Sequence, residues 1–345
     1  MECFDGLNAG HFSFRRPNGM IPYSRYLIYP VTWYGALILA GVLLAVFIAS
    51  VQEKKKGFPE DTIIDLALRI IPVGIISARI YYVIFSWKTF QGDLLSVFRI
   101  WEGGLAIYGG VLGGLITIVV FCRKRHLSIR SVCDAIVPGL SLAQAVGRWG
   151  NYFNMEAYGR PVTDPSFCFF PAAVLIPSET GSSWHLATFF YESCWDFVVF
   201  VILMILSRKK QSEKGYLLRT YLVLYASARL VIEELREDSL YLGEIRISQL
   251  LSILIILIVF LVIICRLARL RKQKTLPLAM FAFEPVYLFA TAIAVCCAGG
   301  CRISWFKAFP ERLFWYFLFS ILSIAHLIIL NGWISVRRSY ANIKD

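Results

Sequence analysis

Long apolar runs alternate with short polar stretches along the chain. Seven of these runs, at about 33–51, 62–87, 105–121, 131–147, 187–206, 216–235 and 248–265, are each close to the roughly 20 residues that cross a bilayer core. Two more follow, at about 279–301 and 313–336. Lipid offers no partner to backbone N–H and C=O groups, so runs of this length predict helices that bond internally. Barrel strands would be shorter and would alternate. The pattern therefore predicts an all-α fold, a polytopic membrane helical bundle with a seven-span body and two extra C-terminal spans. Composition supports this, with 58% of the 345 residues hydrophobic and only 17% charged. An average soluble domain carries about 25% charged residues.

The formal net charge of +12 is gathered in short loops. Lys54, Lys55 and Lys56, then Arg123, Lys124, Arg125 and Arg130, then Arg208, Lys209, Lys210 and Lys214, then Arg266, Arg269, Arg271, Lys272 and Lys274 fall in alternate connections. The intervening ones are poorer, with Lys88 and Arg99 in one and Arg236 and Arg246 in another. The positive-inside rule puts the first set in the cytoplasm and the N-terminus outside, and nine spans return Arg337 and Arg338 to the cytoplasm. Basic loops of this kind meet anionic headgroups. No basic module stands apart from the spans, so nucleic acid is not an expected partner. Nine cysteines show neither a CxxC pair nor zinc-like Cys/His spacing, and no metal or other cofactor is expected. No short apolar segment with a small-residue cleavage site follows Arg15, Arg16 and Arg25, so the first span is expected to be retained. The expected organisation is an extracytoplasmic segment 1–32, a seven-span body 33–265 with an extracytoplasmic loop 148–186, a basic linker 266–278, and a two-span extension with its tail 279–345.

The polar residues that interrupt this apolar background carry the candidate chemistry. Residues 147–159, GRWGNYFNMEAYG, place Arg148, Asn151, Asn154 and Glu156 among three glycines at the outer end of the fourth span. The third span opens with GGLAIYGGVLGG. Its pairs Gly109/Gly113 and Gly110/Gly114 are each four apart, the spacing of close helix packing, and Tyr108 sits among them. Tyr34 follows Trp33 at the start of the first span. Tyrosines at such depths are usually interfacial anchors. Arg229, Glu233 and Arg236 share one face of the sixth span at i, i+4 and i+7. An intramembrane ion pair accounts for two of them and leaves one cation over. Arg79 in the second span is a similar case. His185 and Glu192 read equally well as ordinary interfacial residues.

Charges inside spans are costly and mark candidate sites. With alternating spans, Tyr34, Arg79, Tyr108, Arg148, Arg229 and Glu233 all fall in the outer half of the membrane. Several arginines at one depth imply an anion, most simply a phosphate held by guanidinium forks. Apolar surroundings imply that this phosphate belongs to a lipid. A transporter should show repeat halves with matching broken helices, and a protease a serine–histidine, paired-aspartate or HExxH set. Neither pattern is present.

GRWGNYFNMEAYGR resembles the signature of bacterial prolipoprotein diacylglyceryl transferases, approximately GRxGNFxNxExxG. WYG at 33–35, WEGGLAIYGGVLGG at 101–114, TFFYES at 188–193, and ARLVIEELREDSLYLG at 228–243 with Arg246, Ser248 and Gln249 resemble further family motifs in family order, over about residues 30–265. The resemblance implies transfer of the diacylglyceryl group of phosphatidylglycerol to the lipobox cysteine of a preprolipoprotein signal peptide. A thioether forms and glycerol phosphate leaves. It also implies a bacterial cytoplasmic membrane location, with the site facing the outer leaflet. Arg148 and Arg229 match arginines that would bind the phosphate, and Glu233 would position Arg229. Asn151, Glu156 and Tyr34 match catalytic positions, with Asn151 and Tyr34 hydrogen-bonding the headgroup and Glu156 fixing an arginine or accepting a proton. Gly159 would permit a turn.

Tyr108 stands where many members carry histidine. A phenol with a pKa of about 10 is a poorer resting base near neutral pH, so Tyr108 acts mainly by hydrogen bonding or the base for the thiol lies elsewhere. Two further departures are the long C-terminal extension and Leu186–Ala187 where a proline is common. A non-catalytic scaffold derived from the family is the competing reading, which the retained Arg148, Asn151, Glu156 and Arg229 oppose.

Overall fold

The structure, a computed structural model, describes residues 26–28, 31–178, 181–208, 213–237, 239, 241–242, 245–272 and 316–329. Long helices occupy each of the seven apolar stretches of the body. They are α1 (Trp33–Lys56), α2 (Thr62–Phe85), α4 (Ile107–Lys124), α5 (Ile129–Asn154), α6 (Thr188–Leu206), α7 (Tyr216–Leu235) and α8 (Ile247–Lys272), and a one-turn helix α3 (Trp87–Phe90) follows α2. Among the described residues, five are long and apolar enough to cross a membrane: α1, α4, α5, α6 and the Ile247–Cys265 part of α8. A further apolar helix, α9 (Tyr316–Ile329), lies within the stretch expected as the last span, while the stretch at 279–301 lies outside the described residues.

The fold is mostly helical, as expected, but all-α is too narrow a description. Among the described residues there are three two-stranded antiparallel hairpins: β1 (Tyr26–Ile28) with β2 (Val31–Thr32), β3 (Ala173–Ser178) with β4 (Gly181–Leu186), and β5 (Tyr241–Leu242) with β6 (Ile245–Arg246). The β3–β4 pair runs in register from Ala173 opposite Leu186 to Ser178 opposite Gly181. These strands are short and lie outside the apolar runs, so they leave no trace in a span-length pattern. Two helix ends also move. The fourth apolar stretch does not stop at Gly147, because α5 continues to Asn154; the first part of the expected basic linker is the last turns of α8.

The chain divides into two compact units, one of residues 1–41, 141–203 and 219–345, the other of 42–140 and 204–218. In the second unit α2 packs along α4, and the glycine pairs of α4 are not equivalent. A Cβ on Gly109 would lie 2.5 Å from the Ser77 carbonyl oxygen and 2.5 Å from Tyr81 Cβ, and one on Gly113 would strike the Ser77 hydroxyl. Gly114 is roomier, its hypothetical Cβ 3.6 Å from Ile70. Leu66, Ile118, Phe121, Cys122 and Val132 form a buried apolar cluster nearby. Carboxylates cap two helix starts, where backbone N–H groups have no helical partner. Glu53 accepts from Ile63 N at 2.7 Å, and Asp134 accepts from Gly215 N at 2.7 Å and Leu218 N at 2.8 Å.

Arg79 serves this unit in an unexpected way. Its Nε donates to Val97 O at 2.8 Å, Nη1 to Gly103 O at 2.7 Å and Gly104 O at 3.0 Å, and Nη2 to Ser96 O at 2.6 Å and Arg99 O at 3.4 Å. The fork expected to be available to an anion is engaged by five backbone carbonyls.

In the first unit, side chains on one helix bond carbonyls on the next. Ser141 Oγ donates to Asp196 O at 2.7 Å, Ser193 Oγ to Ala145 O at 2.8 Å, and Trp195 Nε1 to Leu224 O at 3.0 Å. Tyr221 donates to Gln144 Oε1 at 2.8 Å. These bonds tie α5, α6 and α7 together. Helix α9 adds Tyr316, Phe319 and Leu327 to a core with Val223, Leu230, Ile256 and Phe260, and Ser320 Oγ donates to Ser227 O at 3.0 Å.

Gly109→Val should strain the α2–α4 contact by about 1–3 kcal/mol, the usual cost of overpacking. A lowered thermal midpoint in detergent is expected, with Gly114→Ala close to wild type. Equal midpoints for both variants would contradict this packing.

Candidate active site

The signature segment is built as a helix end and a crossing strand. Arg148 and Asn151 lie three apart on the last turns of α5, so the helix fixes their relative direction. Met155 and Ala157 then take left-handed backbone conformations, with φ 54° and 58°, and turn the chain away. Neither position is glycine, so the turn expected of Gly159 is made earlier. Gly159 is required for space: a Cβ there would lie 2.7 Å from Leu235 O, 2.8 Å from Leu186 Cβ and 2.9 Å from Thr188 Cγ2. Its N–H donates to Leu186 O at 2.8 Å, and Arg160 N donates to Leu235 O at 2.9 Å. The crossing strand thus bonds to the end of β4 and to the end of α7. His185 secures it, with ring Nδ1 2.9 Å from Gly159 O and Nε2 2.9 Å from Ser183 Oγ. A neutral ring that donates at Nδ1 and accepts at Nε2 satisfies both contacts.

Beside this strand lies a buried ion cluster, all within the first unit. Glu192 is its centre. Arg148 Nε is 2.7 Å from Glu192 Oε2, Arg229 Nη1 donates to Glu192 Oε1, and Arg236 Nη1 is 3.8 Å from the same oxygen. Arg229 Nη2 reaches Glu233 Oε2 at 2.5 Å and Ser248 Oγ at 3.3 Å. The side chains of Glu192 and Glu233 are 5% and 3% exposed, so the charges are desolvated and their pairing is obligatory. Arg246 donates to Glu233 O and contacts Glu234 at 3.2 Å, Gln249 donates to Leu230 O at 3.2 Å and Glu234 at 3.1 Å, and Arg160 meets Glu234 at 3.1 Å.

Arg148, Glu192, Trp195, Asp196, Tyr225, Ala228 and Arg229 line a cavity of ≈ 10 Å³, about the room of one water molecule. Glu192 and Asp196 are one turn apart on α6, and Tyr225 is one turn before Arg229 on α7. From sequence Glu192 reads equally well as an ordinary interfacial residue, and Asp196 and Tyr225 do not stand out. The available signal was two acids at i, i+4 in an otherwise apolar helix, which is costly in a membrane unless used. Asp196 also changes the charge balance. Three guanidiniums face three carboxylates, so the surplus cation expected from the Arg229–Glu233–Arg236 stripe is formally neutralised when all are ionised.

The other expected residues are placed as follows. The Tyr34 ring packs on bare backbone at Gly150, where a Cβ would lie 2.6 Å from Cδ2, and the tyrosine lies within electrostatic reach of Glu156 and Arg148. Glu156 is exposed and accepts from Asn154 Nδ2 at 3.3 Å; among the described residues it is in no ion pair with an arginine. Tyr108, on the first turn of α4, and Arg79 belong to the second unit. Among the described residues, no group of three His, Cys, Asp or Glu side chains comes together as a metal site.

Comparison with known proteins bears on this arrangement. Residues 24–265 match the model of a family described as prolipoprotein diacylglyceryl transferase. The chain is 43% identical over 228 residues to a phosphatidylglycerol–prolipoprotein diacylglyceryl transferase of Limosilactobacillus reuteri, covering 65% of this chain and 83% of that protein. It is 40% identical over 230 residues to the proteins of the same name from Ligilactobacillus salivarius and Halalkalibacterium halodurans. These matches cover 66% of this chain and 86% and 79% of those proteins.

Glu192→Ala should destabilise the folded protein by about 3 kcal/mol, because it leaves two partly buried guanidiniums without their shared partner. Glu156→Ala, at an exposed position, should change stability by no more than about 0.5 kcal/mol. Unfolding midpoints in detergent measure both, and a Glu192→Ala midpoint equal to wild type would rule out the hub role.

Proposed function

The chain belongs to the prolipoprotein diacylglyceryl transferase family, transferring the diacylglyceryl group of phosphatidylglycerol to a prolipoprotein, and we propose that Arg148 and Arg229 hold the lipid phosphate during this step. The observation that carries the reading is two nearly buried guanidiniums converging on one carboxylate at a cavity. A planar fork can keep one pair of N–H bonds to Glu192 or Glu233 and turn others to phosphate oxygens.

In the proposed reaction the lipobox cysteine thiol gives up its proton to water, and its sulfur attacks the glycerol carbon that carries the phosphate ester. The C–S bond forms as the C–O bond breaks, and glycerol phosphate departs with the electron pair. Negative charge grows on the leaving oxygen, where fixed guanidiniums stabilise it more than they stabilise the resting lipid. Glu233 positions Arg229 through the 2.5 Å contact. Asn151, on the same helix end as Arg148, orients headgroup oxygens; Tyr34, within electrostatic reach of Arg148, hydrogen-bonds the headgroup; and the exposed Glu156 accepts a proton. For Tyr108 the support is the resemblance in sequence, and the role proposed is a hydrogen bond.

The protein is a multi-pass membrane protein. We propose seven spans in the body with α2 and α7 among them, two more in the extension, the N-terminus outside, and the site open to the outer leaflet. The alternation of basic loops supports that orientation. In the proposed organisation the catalytic machinery lies before residue 266.

The reading is tested with purified protein, phosphatidylglycerol and a lipobox peptide, by mass spectrometry for a diacylglyceryl adduct on the peptide cysteine. Arg148→Lys should cut turnover at least about tenfold, since a point charge replaces a fork, while leaving the protein folded. Normal turnover would remove Arg148 from the phosphate role. A chain ending at residue 275 should retain detectable transfer with a lower thermal midpoint, because it loses α9. A folded but inactive truncation would place the extension in the catalytic machinery.

A further inference from the structure

Asp196 is the unexplained charge of the cluster. It is 3% exposed, and its Oδ2 is buried with no hydrogen-bond partner. It lines the same water-sized cavity as Arg148 and Arg229, one turn below Glu192. The charged and titratable groups facing it are Arg148 on α5, Glu192 on its own helix, and Tyr221, Tyr225 and Arg229 on α7. The backbone around it is fixed, since Ser141 Oγ bonds Asp196 O at 2.7 Å. Its carboxylate therefore acts on the arginines chiefly through charge.

With Asp196 ionised, the three guanidiniums of the cluster are formally matched. A phosphodiester then adds a fourth negative charge to a poorly solvated site, where unmatched charge is expensive. Uptake of one proton by Asp196 removes one charge as the phosphate brings one. Glu192 and Glu233 are poorer places for that proton, because each is ion-paired with a guanidinium, whereas Asp196, among the described residues, is in no ion pair and its Oδ2 is buried without a hydrogen bond.

We propose that Asp196 is a positioning residue that exchanges its charge with the substrate, binding a proton when the anionic phosphodiester headgroup enters beside Arg148 and Arg229. The inference rests on the phosphate-site reading above. The step balances: Asp196 carboxylate and one solvent proton become the carboxylic acid as one phosphodiester anion is bound, and product departure reverses it. The tightening of the site is thus linked to pH. Because the occupied site holds one more proton, lipid binding weakens as pH rises between the pKa of Asp196 in the empty site and its pKa in the occupied one.

The test uses the full chain in nanodiscs of phosphatidylcholine with a graded fraction of phosphatidylglycerol. The half-saturating fraction and the maximal rate are measured between about pH 5 and about pH 8, a range in which one linked proton changes affinity by up to about tenfold per pH unit. Ionisation of the acceptor thiol moves the maximal rate, while Asp196 moves half-saturation. For wild type the half-saturating fraction should rise with pH. Asp196→Asn should be flat and stay tight at the upper end, and Asp196→Glu should restore the slope. A slope in Asp196→Asn equal to wild type overturns the inference. An infrared difference spectrum of wild type provides a second measurement that needs no variant to fold. Adding phosphatidylglycerol should produce a protonated-carboxyl band, and its absence also overturns the inference. Arg148→Gln separates the two proposals. If it binds phosphatidylglycerol as well as wild type, the phosphate-site reading fails. If it binds weakly while the Asp196→Asn slope is unchanged, only the Asp196 inference fails.

Discussion

One carboxylate holds the candidate site together. Glu192 takes Arg148 from α5 on one oxygen and Arg229 from α7 on the other, so three helices meet through a single buried side chain. In a low-dielectric setting the attraction must offset the desolvation of every charge involved, and it does so only with close geometry. The geometry is supplied by neutral groups. Hydroxyls of Ser141 and Ser193 and the indole of Trp195 bond carbonyls on adjacent helices, fixing the helices in register before any charge is counted. Glu234, Arg246, Gln249 and Arg160 then set the direction from which Arg229 and Glu233 approach.

The result is a preorganised cationic site whose cations are already partnered. In the proposed phosphate site an anionic substrate would not find bare positive charge; it would compete with carboxylates for the guanidinium forks. That keeps the empty site stable within a membrane, where an unmatched arginine is costly. It also gives selectivity, because a ligand must supply both an anion and the geometry to share a fork. The crossing strand from Gly159 serves the same end, joining β4 to the end of α7 and so connecting the signature segment to the helix that carries Arg229.

Much of this was legible in the chain. The seven apolar stretches of the body each hold a long helix, since span length and internal hydrogen bonding leave no alternative. Arg148, Arg229 and Glu233 stood out because charge in apolar runs is rare. The hub was not legible. Glu192 sits near the start of α6, where an acid is unremarkable, and only the fold shows it facing two arginines. Asp196 and Tyr225 were hidden in the same way. Conversely, Arg79 looked like a site cation because its partners are carbonyls, which leave no trace in side-chain sequence. Gly159 was read as a turn residue, yet the turn is made by Met155 and Ala157, and what glycine provides is room beside Leu235. Helix ends and short hairpins were the weakest part, because polar residues such as Asn151 and Asn154 can finish a helix as well as begin a loop.

The five carbonyls gathered by Arg79 bear on the order of assembly. A segment whose main chain is organised by a side chain from elsewhere cannot settle until that side chain is in place. Arg79 belongs to α2, which leaves the ribosome before residues 96–104, so the guanidinium is present when their carbonyls emerge. The connection leading into α4 is in this sense templated by the helix preceding it, and synthesis from the N-terminus delivers the template first.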